Sequence, residues 1–193
     1  MVESILSPGG RPVWSGEAAM EETQLELKDD GTWRPIRVLF VCLGNICRSP
    51  LAEAVFRHLV EARGWAERFD VDSAGTSGWH RGSPPDPRST ETARRRGITL
   101  AGGSRKVTAA DLRGFDYVIA MDAENEAALR ELHAQSGGTA QVRRLREFEA
   151  DAGSLDVPDP YYGGPRGFDD VHDIVERGCA GLLAHIAAER GLR

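Results

Sequence analysis

Residues 36–43 read IRVLFVCL, a nearly unbroken apolar run, and GNICRSP follows at once, leading into apolar residues at helical spacing. A run of that length and character suits a strand buried on both faces of a parallel sheet. Leu51, Val55, Leu59 and Ala62 then recur every three or four positions, and Gly64 follows, so the next element is an amphipathic helix closed by glycine. Ser49 reads as its N-cap and Pro50 as its first helical residue. A buried strand feeding a helix through a short glycine-bearing loop commits the chain to an α/β architecture.

The remainder repeats the alternation. FDVDSAG (69–75) reads as a second strand, DPRSTETARRRG (86–97) as a helix stopped by glycine, and TAADLRGF as a short helix before the strand DYVIAM (116–121). Asp122 caps the helix AENEAALRELHA, QVRRLREF holds a fourth strand, and a loop spans about 149–166. Phe168, Val171, Val175, Leu182 and Ile186 mark a final amphipathic helix. The expected fold is a single three-layer α/β domain over residues 35–193, with a central four-stranded parallel sheet and helices on both faces. Residues 1–34 stand apart, with turn signals at both ends and three Arg/Lys against seven Asp/Glu, a balance of −4. They read as a flexible N-terminal extension in which TQLELK is at most a short strand, with Trp14 and Trp33 given little to pack against.

Composition narrows the partners. A net charge of −6 argues against nucleic acid as the main ligand. No apolar run reaches bilayer length, and MVESILSPGG carries an acid where a signal peptide needs cations, so neither a membrane span nor a signal peptide is expected and the cytoplasm is the expected location. The three cysteines form no C-x-x-C and no cluster with histidine at metal spacing, which points to thiols and away from zinc.

Two of those cysteines lie in CLGNICRS, at the carboxyl end of the first strand, where open α/β sheets bind ligands. Backbone N–H groups and the helix dipole make such a loop an anion cradle. Gly44 and Asn45 tolerate the left-handed backbone that a tight cradle needs. Arg48 can grip two phosphate oxygens with its planar fork. Cys42, in the same positive field, is favoured as thiolate and is placed as a nucleophile toward a bound phosphoryl group.

VCLGNICRSPLAEAVF closely resembles the low-molecular-weight protein tyrosine phosphatase family. The likeness continues through VDSAGTSGWHRGSPPDPRS, YVIAMDAEN, DVPDPYYGG and VERGCAGLLAHI, over roughly residues 36–190. The resemblance implies hydrolysis of phosphotyrosine through a phosphocysteine on Cys42, with Arg48 binding phosphate and Asp159 as general acid and base, and without metal or cofactor. Asp156 is the neighbouring carboxylate, and the motif's register favours Asp159. The phosphate site it implies comprises Leu43, Gly44, Asn45, Ile46, Cys47 and Ser49. Trp79, Tyr161 and Tyr162 form an aromatic rim, with Leu43 on the opposite wall. Ser49 donates to the Cys42 sulfur, and Asn45 and Ser73 brace the loop. Arginine-phosphatase relatives tend to carry threonine where this chain has Ile46, whose bulk suits an aryl phosphate.

Many members of the family have a bracing histidine where this chain has Gly102, followed by Gly103, so the brace is expected to be lost or replaced. Cys47 is placed to trap an oxidised Cys42 as a disulfide, and Cys179 reads as a core residue. The partners implied are phosphotyrosine-bearing proteins, with a cognate tyrosine kinase as a further candidate. Two other functions share the cradle. A thiol-dependent arsenate reductase needs relay cysteines beyond the loop, and a non-catalytic phosphotyrosine-binding module needs neither nucleophile nor acid.

Overall fold

The computed structural model describes residues 34–161, 163–164 and 166–193. The expectations for the extension before Arg34, and for Tyr162, lie outside the described residues.

Strand β1 (Ile36–Cys42) is followed by helix α1 (Arg48–Ala62), β2 (Phe69–Gly75), α2 (Pro87–Arg95) and α3 (Ala109–Gly114). Then come β3 (Tyr117–Ala120), α4 (Ala123–Ser136), β4 (Gln141–Arg144) and the long α5 (Gly167–Glu189). The four strands form one parallel sheet in the order β2-β1-β3-β4. Period-two alternation splits the strand residues between two cores. Ile36, Val38, Phe40, Tyr117 and Ile119 face α1 and α5, and Leu39, Val41, Val118 and Ala120 face Leu112 of α3 and Leu129 of α4. Phe56 of α1 sits between Phe40 and Phe69, with ring centroids 5.5 and 5.6 Å away, tilted or edge-on as aromatic quadrupoles prefer. The expected three-layer α/β domain is the one observed.

From β1 the chain crosses first to β2 on one side and later to β3 on the other, so the connections diverge at the carboxyl end of β1. That divergence opens a crevice between the loops after β1 and β3, where doubly wound sheets bind ligands. Cys42 ends β1, and Asp122 directly follows β3.

The start of α1 differs from the sequence expectation in a way that bears on the site. Helix α1 begins at Arg48 with Cys47 as its N-cap residue, and no side chain caps it. Ser49 is therefore inside the helix and its hydroxyl is turned to the β1 end, where it serves the site rather than the helix. The Asp122 cap follows the sequence, accepting from the Asn125 N–H at 2.7 Å; Asp86, read as the first residue of its helix, instead caps α2 and accepts from the Arg88 N–H at 2.8 Å.

Candidate active site

The loop between β1 and α1 is held by its carbonyls. Those of Cys42 and Leu43 accept from the N–H groups of Thr76 and Ser77, both at 2.9 Å. The Gly44 carbonyl accepts from Ser104 Oγ at 2.9 Å, that of Ile46 from the Asp86 N–H at 2.7 Å, and that of Cys47 from Ser89 Oγ at 3.2 Å. In a planar trans peptide the N–H points opposite to the C=O. Tying these carbonyls outward therefore turns the N–H groups of the following residues, positions 43, 44, 45, 47 and 48, inward. The Asn45 N–H follows this rule and donates to Cys42 Sγ at 3.2 Å. The loop folds into a nest of donors around the sulfur, with the uncapped N-terminus of α1 adding the same sign of potential.

Only Asn45 of the two turn residues has a left-handed backbone, with φ of 53°. Gly44 does not, contrary to the sequence expectation; a Cβ there would lie 3.1 Å from the His80 ring, which would have to give by a few tenths of an ångström. Cys42 is buried at the floor, with Ser49 Oγ at 3.1 Å from its sulfur.

Arg48 is almost wholly buried and splits its fork between two carboxylates. Nη1 donates to Asp122 Oδ2 at 2.6 Å and to the Val157 carbonyl at 3.1 Å, and Nη2 donates to Asp159 Oδ2 at 2.9 Å. Burial opposes its charge, but Cys42, Asp159 and Asp122 outweigh that and raise its pKa. Asp122 thus serves two elements, capping α4 with one oxygen and anchoring Arg48 with the other. Sequence reading assigned it only the cap. Its place after the apolar strand YVIAM, at the crevice edge of the sheet, was the signal available.

A cavity of about 350 Å³ opens above the sulfur, and Cys42, Gly44, Cys47, Arg48 and Asp159 form its depth. Leu43, Ile46, Trp79, His80 and Tyr161 form its apolar and aromatic sides. Trp79 stands 79% exposed, so most of its ring area is available to whatever enters. Asp159 Oδ1 accepts from the Tyr161 N–H at 3.0 Å, and Arg88 lies over the Tyr161 ring at 5.1 Å while donating to the Tyr161 carbonyl at 3.3 Å. This stack steadies the loop carrying Asp159. Asp156 is directed elsewhere, accepting from the Ala123 N–H and from Arg144.

Behind the loop a hydrogen-bond network holds Asn45. Asn45 Nδ2 donates to Ser49 Oγ at 3.0 Å and to Ser73 Oγ at 2.9 Å, and Asn45 Oδ1 accepts from the Arg105 N–H at 2.9 Å. Ser73 Oγ donates in turn to Glu53 Oε2 at 2.7 Å. Gly102 and Gly103 line a second cavity of about 580 Å³ that Asn45, Ser73 and Glu53 also border. Glu53 and the Ser104–Arg105 segment were not singled out from sequence. Glu53 stands one turn after Ser49 on α1, which is a weak signal by itself.

Two further cysteines lie in the fold. Cys47 is buried beside the cavity, and burial with the Asp86 and Cys42 charges pushes its pKa up to about 12. Cys179 is fully buried on α5, its thiol raised further by burial and placed 3.6 Å from the Ala52 carbonyl.

A family model described as low molecular weight phosphotyrosine protein phosphatase matches residues 37–192. The low molecular weight protein-tyrosine-phosphatase YfkJ of Bacillus subtilis is 48% identical over 158 residues, which cover 81% of this chain and 99% of that protein. The crystal structure of YfkJ superposes with a TM-score of 0.76 at 47% identity, covering 81% of this chain and 98% of that one. A Drosophila arginine phosphatase structure superposes with a TM-score of 0.75 at 32% identity, covering 78% and 98%.

Proposed function

The chain belongs to the low molecular weight phosphotyrosine protein phosphatase family, and we propose that it hydrolyses phosphotyrosine in proteins by way of a phosphocysteine on Cys42. The observation that carries this reading is the convergence of Cys42 Sγ, the inward N–H groups, the Arg48 fork and the Asp159 carboxyl on one cavity.

The steps follow from the geometry. The phosphoryl oxygens enter the nest and take up the Arg48 N–H groups, displacing Asp159 from Nη2. The Cys42 thiolate attacks phosphorus from below, and the bond from phosphorus to the tyrosyl oxygen breaks on the opposite side. The Asp159 carboxylic acid passes its proton to the departing phenolate oxygen. In the second half the resulting Asp159 carboxylate takes a proton from water. The hydroxyl oxygen bonds to phosphorus, and the P–S bond breaks to regenerate the thiolate and release phosphate. The donors around the loop stabilise the equatorial oxygens throughout.

The aromatic and apolar walls favour a phenyl ring. Ile46 places a branched apolar side chain where a guanidinium phosphate would need polar partners. Arsenate reduction is disfavoured because Cys179 is fully buried on α5, leaving no accessible cysteine beyond the loop to relay a disulfide. A binding module would have no use for Asp159 beside the Arg48 fork. Phosphotyrosine-bearing proteins are the substrates proposed, with a tyrosine kinase of the same cell supplying them. Among the described residues no helix is long and apolar enough to cross a membrane, and a cytoplasmic location is proposed.

Steady-state hydrolysis of a phosphotyrosine peptide, with phosphoserine and phosphoarginine peptides alongside and metal chelator present, tests the assignment. The reading predicts turnover of phosphotyrosine well above the other two. Preference for phosphoarginine overturns the aryl assignment.

A further inference from the structure

We propose that His80 is a second cationic group for the anion held over Cys42, present only while its imidazole is protonated. Arg48 supplies the permanent charge, and His80 makes anion binding depend on pH. This role rests on the reading of the loop after β1 as a phosphate cradle.

His80 lines the same cavity as Cys42, Arg48 and Asp159. A Cβ on Gly44 would lie 3.1 Å from His80 Cδ2 and 3.7 Å from Nε2, so the ring edge bearing Nε2 rests against the loop whose N–H groups turn inward. The ring is half-buried, yet among the described residues no hydrogen bond or ion pair engages it. An anion in the cradle would stand beside this unengaged imidazole.

The backbone holds the ring in that place. Ser77 donates to the Leu43 carbonyl with both its N–H and its Oγ, each at 2.9 Å, and that carbonyl shares a peptide with the Gly44 N–H. Ser104 Oγ donates to the Gly44 carbonyl at 2.9 Å, and the Ser104 carbonyl accepts from the Gly82 N–H at 2.8 Å. Between these ties the Ser83 N–H closes a turn on the His80 carbonyl at 2.8 Å. The segment carrying His80 is therefore pinned to both peptides that flank Gly44.

The other titratable groups lining the cavity are Cys42, Cys47, Arg48, Asp159 and Tyr161, with Arg88 over the Tyr161 ring and Arg81 next in the chain. Carboxyl groups ordinarily ionise below about pH 5, and phenols and guanidinium groups well above about pH 8. The Cys47 thiol, at about 12, also lies above that range. Histidine is the side chain that ordinarily changes charge within it. With Cys42 replaced by serine, a change in anion affinity over this range has one source among the residues lining the cavity. An imidazolium attracts a dianion, so affinity is high in mild acid and falls as the proton leaves. The ring is partly exposed and its charge partly screened, so the change should be modest, about three- to fivefold.

The test is sulfate binding to Cys42→Ser protein at about pH 5.5 and about pH 8, at constant ionic strength, followed through the backbone amide resonances of residues 43–48. Sulfate stays a dianion throughout, whereas a phosphate ester titrates itself near about pH 6. The Cys42→Ser protein should bind sulfate about three- to fivefold more tightly at the lower pH. Adding His80→Gln should remove the pH dependence and leave the weaker affinity at both values. Adding His80→Lys, which keeps a charge throughout, should remove the dependence and leave the tighter affinity. Equal affinity at the two pH values in the Cys42→Ser protein overturns the proposal, as does an undiminished dependence after His80→Gln, or sulfate that fails to move the loop amides. If His80→Gln lacks a cooperative melt, His80→Lys decides: a flat profile upholds the role and a parental one refutes it. Sulfate binding needs no turnover, so a parent protein inactive on phosphotyrosine would defeat the functional reading and leave this measurement valid.

Discussion

Arg48 Nη2 donates to Asp159 Oδ2 at 2.9 Å, joining two residues 111 positions apart in the sequence. In this arrangement the carboxylate occupies part of the guanidinium fork that a phosphate would claim. On the proposed mechanism, substrate binding would exchange one anion for another on Arg48, and the same exchange would free Asp159 to face the leaving group. Asp159 is 42% exposed, so the exchange costs little desolvation.

Asp159→Asn removes the proton donor and keeps the shape. Turnover of phosphotyrosine peptide should fall by about 10²–10³, within the range of general acid catalysis. The loss should shrink with an aryl phosphate whose phenol is more acidic, since that leaving group needs less protonation. Equal losses across a series of leaving groups would remove Asp159 from the role of acid.

Asp122 holds the other arm of Arg48 at 2.6 Å, with 4% exposure on the arginine side chain and 20% on the aspartate. Asp122→Ala removes both the anchor and the α4 cap. It should cost about 1–3 kcal/mol, the penalty of leaving a buried polar group short of a partner, and lower the melting temperature by several degrees. Asp122→Asn retains a capping side chain and should melt closer to the parent. Its defect should appear mainly as a raised KM, because Arg48 is no longer aimed by a carboxylate. Thermal melts paired with steady-state kinetics separate the two effects.

Cys47 supplies an alkaline signature. Its folded pKa, about 12, exceeds the ordinary value of 9.0, so the fold binds this proton more tightly than the unfolded chain does. The associated stability is complete below about pH 9 and is lost as pH rises toward the folded value. The Tyr117 phenol behaves likewise, pushed up to about 12 by burial and by the Glu189 carboxylate 2.6 Å away. The melting temperature should decline above pH 9, and less steeply in Cys47→Ala.

The same residue bears on oxidation. Peroxide converts the Cys42 thiolate to a sulfenic acid, and the Cys47 thiol can then displace water to close a disulfide. Cys47→Ser protein should recover less activity than the parent after peroxide followed by reductant. Equal recovery would leave Cys47 without a protective role.

What could be read from sequence was what lies consecutive in it. The β1 run, the glycine-bearing loop and the helical periodicity after it are all contiguous, so the sheet, the crevice and the roles open to Cys42 and Arg48 could be argued from residue types alone. Ser49 was misplaced as a cap because its hydroxyl serves the sulfur, a tertiary demand that outweighs the local one. Asp122 and Glu53 escaped for the opposite reason. Each satisfies an ordinary local function, a cap in one case and an i,i+4 ion pair with Arg57 in the other, so nothing in the pattern called for a second role. The network behind the loop depends on the direct approach of α1 to β2, where Glu53 meets Ser73. That approach is a property of packing and leaves no periodic trace.

The central claim is that phosphate passes through the Cys42 sulfur. Mixing the protein with a phosphotyrosine peptide, quenching in acid within the first turnover and mapping phosphate by mass spectrometry tests it directly. One phosphoryl group on Cys42 is predicted, accumulating further in Asp159→Asn if breakdown is slowed more than formation, and absent from Cys42→Ser along with peptide hydrolysis. Sustained hydrolysis by Cys42→Ser protein would contradict the account.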